Sequence, residues 1–227
     1  MRQGRSLIPN AAISPIVDVS IRSIVSHRLI GDNAPNKYLK RQEIYDLYAN
    51  IDGNLGIVRM NKEHRYNTLT SSFIDQVTRG ISSMDIDHIV RMIYLGTAKH
   101  EHFSNGTDFR SIAYMKERND YESIRDYFQK LYRLQTDIAK TNKPIFAVAS
   151  GHAKNSGACM LMACGQPMTT LDTKVAFNEV TFGFTPHSGA VYYLNKMPGD
   201  FGTFMALTGM AIHGSEACRV GIAEGVI

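Results

Sequence analysis

Residues 143–194 constrain this chain most. An apolar run at 145–148 leads into a turn of small residues, Asn155-Ser156-Gly157-Ala158, and then into a stretch rich in Met, Leu and Ala. A strand that enters a helix through small residues leaves backbone N–H groups uncovered at the helix N-terminus, where the dipole favours negative charge. A second turn of this kind, His102-Phe103-Ser104-Asn105-Gly106-Thr107-Asp108, follows another apolar run at 89–95. Two such amides converging on one oxygen make an oxyanion hole.

Hydrophobic periodicity supplies the rest of the frame. Phe73, Ile74, Val77 and Ile81 recur at helical spacing within 71–83. Ile124, Phe128, Leu131, Leu134 and Ile138 do the same across 121–141, and Lys143-Pro144 stops that helix. Short apolar segments at 56–60, 89–95, 145–149 and 175–177 read as strands, and 159–164, 201–208 and 215–220 as helices. Strands alternating with helices define an α/β protein. At 227 residues and 44% hydrophobic content the chain is long enough for one cored domain. No apolar run approaches the length of a membrane span. Neither a nucleotide-hydrolase phosphate loop nor a metal-ligand spacing is present, and the site is expected to hold no metal.

The net charge is +4, and the excess is concentrated at the front. Residues 1–40 hold Arg2, Arg5, Arg22, Arg28, Lys37 and Lys40 against Asp18 and Asp32, a composition like that of a mitochondrial presequence. Pro9, Pro15 and Pro35 argue against one long helix there. The organisation expected is a basic extension, 1–40, ahead of a domain, 41–227. The extension is expected to lie on an anionic partner; the alternative is an arm folded back on its own domain. Cys159, Cys164 and Cys218 sit in apolar stretches and read as reduced, buried thiols. His100 and His102, flanking Glu101, read as solvated.

Four blocks in order give these features a family likeness: Asn67-Thr68-Leu69-Thr70; Phe103 to Asp108; Ser156-Gly157-Ala158 through Gly165-Gln166; and Ala206-Leu207-Thr208-Gly209 with Gly221-Ile222-Ala223. On these the chain resembles the crotonase (enoyl-CoA hydratase/isomerase) superfamily, and within it the 3-hydroxyisobutyryl-CoA hydrolase branch. The resemblance runs from about residue 56 to 227. It implies the crotonase (ClpP-like) spiral of β-β-α units and a coenzyme A thioester as substrate, with no cofactor required. It also implies that the family fold continues past residue 227, so that a partner covers the face left behind.

The resemblance assigns the oxyanion amides to Thr107, after Gly106, and to Gly157, whose flanking residues here are Ser156 and Ala158. Two readings stand for these turns: retained chemistry, or retained geometry alone. The hydratase glutamate maps to Met160, which argues against hydration but not against hydrolysis. The family's second carboxylate maps to Glu179, which in a hydrolase serves as nucleophile or general base. The hydrolase aspartate maps to His187 in Thr185-Pro186-His187. His187 either pairs with Glu179 in different proton chemistry or is a remnant of a lapsed site. In the coenzyme A loop, Lys62 and Arg65 are candidate phosphate contacts beside Gly106, with Glu63 opposing them.

Hydrolase-like members of this kind occur as proteins of the mitochondrial small ribosomal subunit. The resemblance therefore implies, first, a structural subunit of a large mitochondrial ribonucleoprotein assembly in the matrix, with RNA contact through the basic arm. The alternative is an active acyl-CoA thioester hydrolase of valine catabolism, with Glu179 and the Thr107 and Gly157 amides at its centre.

Overall fold

The computed structural model describes residues 46–99 and 102–227. The expectations for the basic segment 1–40, and for His100 and Glu101, fall outside these residues.

A hairpin opens the domain: β1 (Leu47–Asp52) pairs antiparallel with β2 (Leu55–Met60) across Gly53, whose φ of +58° suits a tight turn. The next strands, β3 (Met92–Thr97), β4 (Ile145–Ala149), β6 (Gln166–Thr169) and β9 (Gly225–Val226), add in parallel. They complete a six-stranded sheet in the order β1-β2-β3-β4-β6-β9. A second sheet has the order β5-β7-β8, from β5 (His152–Lys154), β7 (Lys174–Ala176) and β8 (Ala211–His213). Twice the chain runs from the large sheet to the small one and on into a helical turn: β4 to β5, then β6 to β7. This repeated step is the crotonase spiral. β3 runs through all-buried residues after its first, as a parallel strand covered on both faces requires.

Helices cover the large sheet because their apolar stripes leave no other place for them. α1 (Ser71–Ile86) starts at Thr70, whose hydroxyl accepts the Phe73 N–H, and buries Phe73, Ile74, Val77, Ile81 and Met84. Each such side chain contributes about 1.5–3 kcal/mol on burial. Gly80 in this face lets the helix approach the hairpin, since a Cβ there would come 2.8 Å from Leu47. α2 (Phe109–Glu117) and α3 (Tyr121–Lys140) are capped by Asp108 and Asp120 in the same manner. α4 (Ser156–Ala163), α5 (Ala190–Leu194), α6 (Phe201–Thr208) and α7 (Gly214–Arg219) follow.

Three expectations need correction. The strand expected at 89–95 begins only at Met92. Asp87 accepts the Ile89 N–H and the Arg91 N–H reaches Asn54 O, so these residues form the turn into the strand. His102 is not simply solvated: its ring packs edge-on against Tyr66 at a centroid distance of 4.8 Å and tilted against His152 at 4.6 Å. Of the thiols, Cys159 and Cys164 are buried, whereas Cys218 is partly exposed.

Candidate functional site

The two turns singled out in the sequence meet where the small sheet borders α4. The 102–104 segment runs beside β5 through bridges His102–Gly151 and Ser104–Ala153. The Ser104 N–H donates to His152 O and the Lys154 N–H to Ser104 O. Gly106 O then accepts the Leu69 N–H at 2.8 Å, tying the turn to the loop ahead of α1.

Close approach makes both glycines necessary. A Cβ on Gly106 (φ +76°) would lie 2.4 Å from Lys154 O and 2.9 Å from the Gly157 nitrogen. A Cβ on Gly157 would lie 2.7 Å from both Cβ and O of Ser104. The backbones at 106 and 157 therefore approach closely, which brings Thr107 and Gly157 into the same corner of the fold. Neither N–H donates to a protein acceptor among the described residues. Asn155 arranges the helix start: its φ is +52°, its N–H donates to Ala176 O, and its Oδ1 accepts the Asn178 N–H. Gln135 of α3 holds the other side, donating to Ser156 O at 2.9 Å.

Behind the amides the polar side chains are joined. Thr107 Oγ1 lies 2.8 Å from His187 Nε2 and 2.5 Å from Ser156 Oγ, which in turn lies 2.9 Å from Ser188 Oγ. His187 Nδ1 faces Glu179 Oε1 at 3.5 Å, within ion-pair reach but not aligned as a hydrogen bond. Glu179 is 0% exposed and neither of its oxygens has a hydrogen-bond partner. It opens the short 3-10 turn Glu179–Phe182 just past β7. Ser188 and Gly189 both have positive φ and turn the chain sharply after His187. Phe109 and Phe128 stand against the imidazole. Cys159 lies behind it, and burial and then the Glu179 charge push its thiol well above the usual range.

A cleft of about 460 Å³ opens in front of Thr107. Its cationic lining comes from Arg65, Arg110 and Lys154. The one carboxylate on the cleft among the described residues, Asp108, is held by the N–H and hydroxyl of Ser111. Burial, and then repulsion from Lys174, lowers the Lys154 ammonium below its ordinary value. The remaining positive charge suits an anionic ligand.

The structure thus brings Thr107, Gly157, Gly106, Glu179 and His187 together and places Arg65 on the cleft. Lys62 is not free for phosphate. It is buried, its ammonium is paired with Asp46, and it lies over the Phe73 ring. Glu63, expected to repel phosphate, faces Lys99 at 3.4 Å. Sequence reasoning missed Ser156 and Ser188 as polar partners of Thr107, and Lys154 and Arg110 as cleft cations. Ser156 and Ser188 carried no signal beyond their small size; Lys154 could have been found from its place beside the Asn155 turn. No group of three or more metal-ligating side chains is found among the described residues, and no described helix is long and apolar enough to cross a membrane.

This fold and this pair of adjacent amides define a class. The enoyl-CoA hydratase/isomerase family model matches residues 55–227, and the chain belongs to that family. An enoyl-CoA hydratase from Rhodobacter sphaeroides superposes with a TM-score of 0.77 at 19% identity, over 81% of this chain and 54% of that one. In sequence the chain is similar to mitochondrial 3-hydroxyisobutyryl-CoA hydrolase of Gallus gallus, 29% identical over 78% of this chain and 46% of the relative. It is similar also to small ribosomal subunit protein mS47 of Schizosaccharomyces pombe, 24% identical over 96% of this chain and 50% of the relative. The chain spans about half the length of these curated relatives.

Proposed function

We propose that this chain serves as a protein of the mitochondrial small ribosomal subunit, built on a crotonase body. One observation carries the reading. The match to the Schizosaccharomyces pombe ribosomal protein takes in 96% of the chain and so includes most of the basic segment 1–40, whereas the match to the Gallus gallus hydrolase takes in 78%. A basic segment ahead of a folded body suits a surface of RNA phosphates. Met160 at the hydratase glutamate position fits the same reading, because a subunit needs the body and not that acid. The test is sedimentation of the tagged chain from mitochondrial extracts. Co-migration with small-subunit ribosomal RNA, reversed by high salt or by deletion of residues 1–40, is the expected result. Retention among soluble matrix proteins at low salt would overturn it.

A second reading concerns the cleft and is compatible with the first: it is an acyl-CoA thioester site. The two adjacent amides without protein acceptors favour it, together with the cations of the cleft. Donors fixed beforehand around a developing oxyanion are worth about 10²–10³ in rate each. Calorimetry with a short acyl-CoA tests this reading. Binding that weakens with salt and with Arg65→Ala supports it, and no heat at millimolar ligand refutes it.

A further inference from the structure

Glu179, His187 and Thr107 form an acid–imidazole–hydroxyl series. The donors can all point one way along it. Ser188 O–H donates to Ser156, Ser156 O–H to Thr107, Thr107 O–H to His187 Nε2, and His187 Nδ1–H faces the Glu179 carboxylate. A carboxylate beside Nδ1 favours the tautomer that leaves Nε2 as the base. At 3.5 Å the Nδ1–carboxylate contact is longer than a hydrogen bond, and such contacts tighten when substrate closes a site.

Thr107 also carries one of the two uncovered amides. A nucleophile whose own N–H helps bind the oxyanion is the arrangement of the serine-protease triad. Here the second donor is Gly157, held in contact range by the two close-packed glycines. Among the hydroxyls of the described residues only Thr107, itself 4% exposed, lines the cleft and also contacts His187. Ser156 is fully buried behind it, and Glu179 neither lines the cleft nor is exposed at all.

We propose that Thr107 is a nucleophile, activated by His187 and positioned through Glu179, which takes the acyl group of a thioester onto its Oγ1. The proposal rests on the reading of the cleft as a thioester site and is independent of ribosomal assembly. Thr107 Oγ1 bonds to the carbonyl carbon as its proton passes to His187 Nε2. The oxyanion is held by the Thr107 and Gly157 N–H groups. The carbon–sulfur bond then breaks, and the thiolate takes the proton from His187, leaving an acyl ester on Thr107. Water attacks that ester, giving its proton to His187. The carbon–Oγ1 bond breaks and His187 returns the proton to Thr107. The sum is thioester plus water giving acid plus thiol, with the protein unchanged.

The experiment uses the full chain with p-nitrophenyl acetate and, separately, acetyl-CoA. Intact-mass and peptide analysis is expected to find a single acetyl group on Thr107, formed with a burst of p-nitrophenolate. Thr107→Val and His187→Ala should slow the burst by about 10²-fold or more, the range for loss of nucleophile or general base. Thr107→Ser should retain it, with the adduct at the same position. Glu179→Gln should slow acylation and change its pH profile, which a purely structural glutamate would not. If Thr107→Val fails to fold, the location of the adduct in wild type and in Thr107→Ser decides the matter. No adduct, an adduct on Glu179 or elsewhere, or an unchanged burst in folded Thr107→Val would overturn the proposal. Acetyl-CoA that binds without acylating Thr107 sinks the relay alone. Acylation by the ester in a protein that binds no acyl-CoA sinks the thioester reading alone.

Discussion

Gly157→Ala is the sharpest probe of how the site is built. In most exposed helices this change stabilises by up to about 1 kcal/mol. Here the new methyl would stand 2.7 Å from Ser104 Cβ and O and 2.9 Å from Ser104 Oγ. Ser104 cannot retreat cheaply: it is fully buried, its hydroxyl donates to Asn67 O at 2.7 Å, and it accepts the Gly106 N–H at 3.0 Å. Overpacking costs about 1–3 kcal/mol. Disturbing a buried hydrogen bond adds about 0.5–1.5 kcal/mol. Less the helix gain, the net loss is about 1–3 kcal/mol, a fall in Tm of roughly 3–10 °C for a domain of this size. Gly165→Ala is the control, because the nearest atom to the new methyl, apart from the two adjacent residues, is Ile145 O at 4.0 Å and its φ is not positive. That change should be neutral or stabilising by about 0.4–1 kcal/mol. Urea unfolding of both variants is the assay. Equal midpoints for the two would refute the claim that Gly157 is pressed against Ser104 with no room for a side chain.

Lys62→Met should lower stability by about 1–2 kcal/mol through its partly buried partner Asp46 while leaving acyl-CoA affinity unchanged. Arg65→Ala should do the reverse, weakening binding about tenfold, as expected for one charge-assisted phosphate contact; calorimetry and urea titration separate the two. In the native protein iodoacetamide should reach Cys218 first, since Cys159 and Cys164 are buried and burial raises all three thiols. Peptide mapping showing Cys159 labelled first would contradict the packing behind His187. Buried phenols make the fold sensitive to alkali. Tyr94 is raised to about 12 and Tyr127 also upward, chiefly by burial. The unfolded phenols ionise near 10, so their contribution is intact below about pH 10 and lost as pH rises through the folded values. For Tyr94 alone the loss is about 2–3 kcal/mol by about pH 12. Urea midpoints that stay level to about pH 11.5, or that fall as steeply in Tyr94→Phe, would refute it.

The helices α1, α3 and α6 and the strand β4 were legible because their apolar spacing is long or unbroken and local propensity agrees with burial. β3 was misplaced at its start because Ile89 and Val90 are apolar but belong to a turn fixed by Asp87 and Arg91, a side-chain and backbone matter that periodicity does not register. α2 was missed because Asp108 was read only as part of the amide turn, when it is also the cap that opens a helix. β5, β8 and β9 are two or three residues each, too short for any pattern, whereas β7 was read one residue late, at 175–177, from Val175, Ala176 and Phe177. In the site, the backbone donors were readable because glycine is demanded at 106 and 157. Of the side-chain series only the Glu179–His187 pairing was anticipated, through the family resemblance. His187, Thr107 and Ser156 are distant in sequence and meet only through the spiral, and the capture of Lys62 by Asp46 depends on the hairpin packing.

The state of Glu179 bears on whether the pocket is more than inherited architecture. The carboxylate is fully enclosed, and its oxygens find no hydrogen-bond donor, only His187 Nδ1 at 3.5 Å. An enclosed carboxyl group with so little hydrogen-bond compensation works against folding. A body serving only as scaffold gains nothing from that arrangement, whereas a relay needs the charge where the imidazolium forms. Stability and reactivity should therefore respond in opposite directions to one substitution. Glu179→Met keeps the volume and removes the charge, and should raise stability by about 1–2 kcal/mol in urea unfolding. It should at the same time abolish acylation of Thr107. A variant destabilised by more than about 1 kcal/mol would identify the Glu179–His187 contact as a structural ion pair that supports the loop. The opposed pair of changes, stability up and acyl transfer lost, is what a charge kept for its chemistry requires.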